Sequence, residues 1–575
     1  MLSLFKRLAP YRWTIVLTLV LILVQTLSEL LLPTLMARII DQGIVRGDQG
    51  SILGHGVQML VTAVVDSACA IGAAYFSSRA ALGFGRDLRS AVFSKVESFS
   101  LHEFEKFGTS TLITRTTNDV VQIQTFSLQV LRMMVMAPLM SLGGLAMAIG
   151  LDPELSLVLV AAMPLLALTI SWVARRGMRY FRQMQTKLDQ LNLVLRENLL
   201  GVRVIRAFHR ERSVQEKFRK ANGDLAETSF RAMRIMAALM PAMMLLMSLS
   251  SIAIVWFGGW RIVSGQLQVG SMMAFLQYAI QILFSLMMMS LLFVMLPRAA
   301  VSAGRLEEVL STKTEICDPE RPLPFPADGT EVEFDHVTFR YPGAEEPVLF
   351  DVSFRTRAGE TTAIIGGTGA GKSTLLNLVP RFYDVESGRV LVGGVDVRSF
   401  TQAELRSRIG YVPQKAVLFS DSVAENLRYG DPGADSEHLA QSLLTAQAAD
   451  FVRELPEGPE TLLSKGGNTL SGGQKQRLCI ARALVREPLI YLFDDAFSAL
   501  DFKTDTALRQ ALAPQTVNSV VLLVAQRVSS IQNADRIVVL DEGRVAGIGR
   551  HEELLQTCEV YREIAASQVS LGETL

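Results

Sequence analysis

Hydrophobic positions follow two different rules along this chain. Over the first three hundred residues they gather into long runs poor in charge, at 13–40, 52–82, 133–151, 155–174, 235–260 and 262–297. A helix needs about 20 such residues to cross the hydrocarbon of a bilayer, so the pattern predicts six membrane spans. The last run leaves room for a short outer loop near 265–270. Lys6, Arg7 and Arg12 ahead of the first run give it the look of a signal peptide. No small-residue cleavage site follows and further spans do, so it reads as an uncleaved first span.

The stretches 83–132 and 175–234 are too long for turns. Leu188, Leu191, Leu195, Leu199 and Val202 recur at helical spacing amid charge, which predicts helical arms. About 20 residues of helix per arm would reach about 30 Å from the membrane. Breaks near 107–110 and 200–202 mark the arm tips. Basic residues gather on one side of the spans: Lys6, Arg7 and Arg12; Arg86, Arg89 and Lys95; Arg175, Arg176, Arg179 and Arg182; Arg298 and Arg305. That bias predicts a multi-pass protein of the cell membrane with its N-terminus, both arms and its second half in the cytoplasm.

After residue 310 the pattern changes. Ser311 to Thr314, then Pro319, Pro322, Pro324 and Pro326, predict a linker over 311–330. Residues 332–340 then alternate apolar with polar, and 361–365, 489–493 and 519–524 are short apolar runs, all strand signals. The expected organisation is a transmembrane domain at 1–310, the linker, and an α/β domain at 331–575. The 49% hydrophobic content and mean hydropathy of +0.30 belong to the first of these. A formal net charge of zero gives no support to a nucleic-acid partner, and the four cysteines lack metal-binding spacing.

Two glycine-rich stretches carry the chemistry. Residues 366–374, GGTGAGKST, follow one apolar strand and precede a helix. In that setting Gly366, Gly369 and Gly371 let backbone N–H groups wrap phosphates, Lys372 reaches the terminal ones, Ser373 can ligate Mg²⁺, and Thr374 opens the helix. About a hundred residues later Leu470, Ser471, Gly472, Gly473 and Gln474 stand before a helical run, 474–486. A helix start of that kind also attracts phosphate. Inside the spans, Glu29 and Asp66 are costly acids, and with Asp41 at the outer end of the first span, where charge is cheap, they are candidates for substrate or gate contacts. Pairing with Arg38 or Arg132, or a water-filled cavity, would explain them equally. Methionines at 240, 243, 244, 247 and 287–289 suit either an adaptable binding wall or ordinary packing.

Together with the strand 489–493 that ends in Asp494, these stretches resemble the ATP-binding-cassette (ABC) ATPases, and the whole chain resembles the exporter-type ABC transporters. The resemblance implies a six-helix transmembrane domain with long cytoplasmic helical arms, fused to an α/β P-loop ATPase domain. It makes Tyr341 the platform for adenine, Gln414 of Tyr411-Val-Pro-Gln414 the Q-loop residue, and Asp494 the Walker B acid. Ser373, Gln414 and Asp494 would hold Mg²⁺. Ser498 to Asp501 would form the D-loop. Residues 470–474 match the signature motif, which in this family meets ATP held by the opposite subunit, so a dimer is implied. Short coupling helices are expected near 104–110 and 206–211.

Three positions depart from the family pattern. Asp495 stands where a water-polarising Glu is usual, Gln526 where a γ-phosphate-sensing His is usual, and Lys465 where exporters carry Glu. One methylene fewer draws the Asp495 carboxylate back by about 1.5 Å, while general-base work needs a reach of about 2.6–3.2 Å. With an intact signature, this combination resembles the degenerate-site subunit of heterodimeric bacterial multidrug exporters. It implies a second half-transporter carrying Glu and His at the matching places, a hydrophobic or cationic small-molecule substrate, and a lipid bilayer. A homodimeric exporter, a lipid flippase, an exporter-fold importer and a non-transporting regulatory subunit are the alternatives.

Overall fold

The computed structural model describes residues 2–326 and 331–572. The chain divides into two compact units, Met1–Glu97 with Thr109–Thr312, and Ser98–Gly108 with Lys313–Leu575.

Among the described residues of the first unit six helices are long and apolar enough to cross a membrane: Lys6–Ile44, Gln49–Glu97, Thr109–Leu151, Pro153–Leu200, Glu211–Val263 and Val269–Met289. The predicted arms are continuations of these spans. Gln49–Glu97, Pro153–Leu200 and Glu211–Val263 hold 49, 48 and 53 residues. At 1.5 Å per residue each is about 75 Å long, more than twice the ~30 Å of hydrocarbon. The second arm's descending helix stops at Gly201, a six-residue helix Val202–Ala207 follows, and the chain turns back at Phe208–Arg210. This tip helix begins four residues before the position expected from sequence, because Gly201, a poor helix former, sets the break. Leu199, Leu200 and Phe208 at the tip are 76%, 82% and 72% exposed.

The six helices pack in pairs: Arg12–Arg38 on Gln49–Glu97, Val120–Leu151 on Val269–Ser311, and Pro153–Leu200 on Glu211–Val263. Polar groups that such helices bury must find partners within the protein. Tyr278 donates to the carbonyl of Leu30 at 2.7 Å and meets Thr34 Oγ1 at 2.6 Å. Asp41, buried, accepts the Gly270 N–H at 2.7 Å. Asp152 has two tasks. One oxygen caps the helix Pro153–Leu200 by accepting from Glu154 and Leu155 N–H, both at 3.0 Å. The other pairs with Arg261 Nε at 2.6 Å.

The second unit begins, unexpectedly, inside the first arm. Ser98–Gly108 belongs to it although in sequence it lies between two spans. Ser100 and Glu103 form a capping box that starts the helix Leu101–Phe107, and Gly108 at φ +72° ends it. The capping box moves this helix three residues ahead of its expected place. The rest of the unit is two sheets. Strands β1 (Glu331–Phe339), β2 (Leu349–Arg357), β3 (Thr361–Gly366), β4 (Ser387–Val392), β5 (Val395–Asp396), β6 (Ile409–Val412), β7 (Ile490–Asp494), β8 (Val520–Val524), β9 (Arg536–Asp541) and β10 (Arg544–Gly549) follow in chain order. The antiparallel sheet runs β2-β1-β4-β5, and the larger one β10-β9-β3-β8-β7-β6. Within the larger sheet β9, β3, β8, β7 and β6 are parallel. Every residue of β7 and β8 is buried, as expected for parallel strands covered on both faces.

The Asp152 arrangement yields a stability test. Asp152→Ala removes a helix cap and leaves the Arg261 guanidinium without its buried partner, at an expected cost of roughly 3–5 kcal/mol. Asp152→Asn keeps the capping oxygen and should lose less. Thermal unfolding of the detergent-solubilised protein ranks the two; equal midpoints would remove Asp152 from the set of structural residues.

Candidate nucleotide site

Parallel pairing decides where the second unit can hold a ligand. The partners Ile364↔Val524 and Asp494↔Val524 align β3, β7 and β8 so that their C-terminal ends lie level. Val412 of β6 pairs with Phe493. The loop 366–374, Asp494 and Asp495, Gln526, and Gln414 each follow one of those ends. Ligands in open α/β sheets bind at such carboxyl ends, where strand order reverses. Here β3 lies between β9 and β8, and a cavity of about 550 Å³ opens above it. Residues 366–374 line it together with Gln414, Asp494, Asp495, Gln526, Ile564 and Gln568.

The loop is shaped for phosphate. Gly371 sits at φ +90°, and a Cβ there would come within 2.7 Å of Leu349 Cδ2, so only glycine fits. The helix Lys372–Leu378 starts directly after it and aims its N-terminus at the loop. Lys372 Nζ donates to the carbonyls of Gly366 and Gly367 at 2.9 and 2.7 Å. Burial draws the Lys372 ammonium below its ordinary pKa, and Asp495 and Asp494 act against that.

Ser373 Oγ donates to Asp494 Oδ1 at 2.8 Å. Burial raises the Asp494 carboxyl above the usual range, and the Ser373 bond opposes the rise. Hydroxyl, carboxylate and the Gln414 amide oxygen are hard donors, and one or two of them with substrate phosphates suit Mg²⁺. Groups of three or more His, Cys, Asp or Glu able to hold a metal are absent among the described residues.

Asp495, at φ +50°, and Gln526 are brought into contact: Gln526 Nε2 donates to Asp495 Oδ2 at 2.8 Å. Burial pushes the Asp495 carboxyl up, while hydrogen bonds from Ser498 and Gln414 and the charges of Lys372 and Arg527 pull it down. Ser498 Oγ also donates to the Asp495 carbonyl at 2.9 Å.

Tyr341 meets the site through Thr374, whose Oγ1 lies 2.9 Å from its hydroxyl. Tyr383 stands edge-on to the Tyr341 ring at 5.3 Å and donates from its hydroxyl to Glu105 at 3.1 Å, which ties the helix Leu101–Phe107 to this corner.

Leu470, Ser471, Gly472, Gly473 and Gln474 are not part of that cavity. Ser471, Gly472 and Gly473 line a separate one of about 330 Å³, with Arg477, Ala499, Leu500, Asp501 and Thr504. Ser471 and Gln474 cap the helix Gly472–Val485 reciprocally, Ser471 N–H donating to Gln474 Oε1 at 2.8 Å. A Cβ on Gly473 would come within 2.9 Å of the Ala499 carbonyl. Asp501 caps the helix Phe502–Leu512. The two cavities share no lining residue. The Lys465 side chain lies outside the described residues.

In the first unit, Glu29 and Asp66 are half-buried. Asp66 Oδ1 is without a hydrogen-bond partner. Asp41 Oδ1 is engaged with the Gly270 N–H. Of the methionines, Met243 is in the core beside Leu166 and Leu283, while Met240 and Met244 are exposed. Ile564 and Gln568 are the cavity residues that sequence motifs miss, because they come from a helix with no glycine-rich or acidic signature.

Asp494→Asn is expected to leave Mg²⁺-free nucleotide binding in place and to weaken the gain from Mg²⁺ by about tenfold or more. Equilibrium fluorescence titration with a labelled ATP, with and without Mg²⁺, measures both quantities. An undiminished Mg²⁺ effect would exclude Asp494 as a ligand.

Comparison with known proteins agrees with this geometry. The family profile for the ABC transporter transmembrane region matches residues 15–287, and that for the ABC transporter ATPase matches 349–498. The chain is 45% identical over 575 residues to an uncharacterized ABC transporter ATP-binding protein of Mycobacterium tuberculosis, covering 99% of this chain and 98% of the relative. It is 34% identical over 478 residues to a fatty acid ABC transporter ATP-binding/permease protein of Mycobacterium bovis, covering 83% and 75%. It is 30% identical over 567 residues to a Bacillus subtilis ATP-binding/permease protein named provisionally for multidrug export, covering 97% of each. A solved bacterial Atm1-family ABC exporter with ATP bound superposes with a TM-score of 0.81 at 26% identity, covering 97% of this chain and 99% of that one. In both halves, therefore, the chain belongs to the ABC transporter family, as an exporter-type protein in which transmembrane helices are joined to an ATPase domain.

Proposed function

We propose that this chain is one half of a heterodimeric exporter that drives small amphipathic or hydrophobic molecules across the cell membrane with ATP. Its own Walker site, with Tyr341, Lys372, Ser373, Gln414 and Asp494, binds ATP and turns it over slowly. Its signature, Leu470 to Gln474, completes a competent site on a partner that carries Glu and His where this chain has Asp495 and Gln526. The observation that carries the proposal is the 2.8 Å bond between Gln526 and Asp495. In the family these two positions face the attacking water and the γ-phosphate. Here each engages the other. A carboxylate held by a neighbouring amide, on a side chain one methylene short, is a weak general base.

The need for a second subunit rests on the two separate cavities and on the exposed apolar tip at Leu199, Leu200 and Phe208. Exposed groups of that kind mark an interaction surface. Bound Mg²⁺ would neutralise charge between the outer phosphates. Lys372 holds the terminal phosphate, and Gln414 conveys its presence toward the coupling helices. ATP brings the two cassettes together, and hydrolysis at the partner-based site resets the transporter. The names of two relatives, one for fatty acids and one for multidrug export, support an amphipathic or hydrophobic substrate. Glu29 and Asp66 supply negative charge in the spans for a cationic group.

A homodimeric exporter is the second interpretation, and the same bond favours it in one respect. Gln526 also orients Asp495, as a third group orients a catalytic base. ATPase activity separates the two. The heterodimer predicts little activity for the chain alone and full activity when it is paired with its partner half-transporter. That activity should survive Asp495→Asn in this chain and disappear with Ser471→Arg. Strong activity of the chain alone, abolished by Asp495→Asn, would overturn the degenerate-site assignment.

A further inference from the structure

The last described helix, Glu559–Gly572, is joined to the nucleotide cavity in a way that no glycine-rich or acidic motif announces. Its residues Tyr561, Ile564, Ala565 and Gln568 share one face, at spacing i, i+3, i+4 and i+7. The first three are anchored. Tyr561 is fully buried and its hydroxyl lies 2.7 Å from His551 Nδ1, while Ile564 and Ala565 pack on the main hydrophobic core of the unit. The fourth member of this apolar stripe is a glutamine, and both ends of its amide are engaged. Gln568 Nε2 donates to the carbonyl of Gln526 at 2.8 Å, and Gln568 Oε1 accepts the N–H of Val528 at 2.8 Å.

Those two backbone groups bracket the turn that leaves β8. The Gln526 side chain then reaches Asp495 at 2.8 Å. A continuous path therefore runs from a helix fixed in the core, through one amide, to the backbone that carries Gln526. Ile564 and Gln568 themselves line the cavity. Without the clamp, the turn would keep its 3-10 bonds but lose its fixed distance from the sheet.

We propose that Gln568 is a positioning residue for the γ-phosphate side of this chain's nucleotide site: it holds the turn at Gln526–Val528 so that the Gln526 amide stays fixed on Asp495 at the wall of the cavity, where the terminal phosphate would lie. The proposal rests on the assignment of this cavity to ATP and of Gln526 to the γ-phosphate. It makes the last helix part of ATP recognition rather than a packing element alone.

Discrimination between ATP and ADP tests it, because a merely structural role would weaken both. Gln568→Met keeps the length and apolar stem and removes both hydrogen bonds. In the full chain, labelled ATP should bind about fivefold more weakly, the loss expected of such bonds, with labelled ADP and the unfolding midpoint unchanged. Gln568→Glu keeps the acceptor for Val528 but cannot donate to the Gln526 carbonyl, and should behave like Met. In a Gln526→Ala background Gln568→Met should add nothing, since the clamp then has no side chain to aim. Equal losses for ATP and ADP, no loss at all, or a full additional loss in the Gln526→Ala background would each overturn the proposal. Lys372→Ala is the control for the parent assignment. If it left the binding of both nucleotides untouched, the cavity would not be the ATP site, and the role of Gln568 would fall with it.

Discussion

Parallel pairing of β3, β8, β7 and β6 is the constraint on which the ATPase half depends. Each strand alone ends in a loop that would place its polar residues at random. Paired in register, Ile364 with Val524 and Asp494 with Val524, the strands deliver a phosphate loop, two acids and two glutamines to one edge. The apolar runs that make this possible are buried on both faces, and their burial in a region of few polar alternatives fixes the register. The site is therefore a by-product of sheet geometry, and its chemistry depends on which side chain each strand happens to present at its end.

Legibility in the sequence follows the same division between local and non-local information. The phosphate loop could be read because its glycines, lysine and serine lie within nine residues. The spans could be read because hydrocarbon thickness sets a minimum length. The helix Leu101–Phe107 starts three residues before its expected position because the capping box of Ser100 and Glu103 sets its start, while the more visible Gly108 marks only its end. The Gly270 N–H that Asp41 accepts is 229 residues away, a partner that no local pattern announces. The contact between Asp495 and Gln526 spans 31 residues and exists only because β7 and β8 are neighbours. Gln568 was invisible for a related reason: a glutamine on a helix means nothing until the helix is docked.

The membrane half obeys a different economy. Its helices satisfy their own backbones, so polar side chains are few and each has a definite task. Asp152 closes one hairpin and Tyr278 joins the first span to the last. The Arg115–Glu308 pair at 2.7 Å and the Ser302–Asp119 bond at 2.7 Å join the third helix to the sixth. The Asp152, Arg115 and Ser302 links lie within helix pairs and would persist if a pair moved as a body, whereas the Tyr278 link crosses from one pair to another. Such rigid pairs are what a transporter that exchanges one packing for another requires.

Inclusion of Ser98–Gly108 in the ATPase unit has a consequence for how the protein is made. That segment is synthesised more than two hundred residues before the strands it joins, yet Phe99, Glu103 and Phe107 are buried in the finished chain, and Glu103 accepts the N–H of Glu315 at 3.1 Å. Such a long-range contact forms late. On the ribosome the nascent arm tip must therefore wait, two aromatic side chains uncovered, until the cytoplasmic half emerges. The final packing of this segment is therefore set by the second unit and not by the helices it is synthesised with.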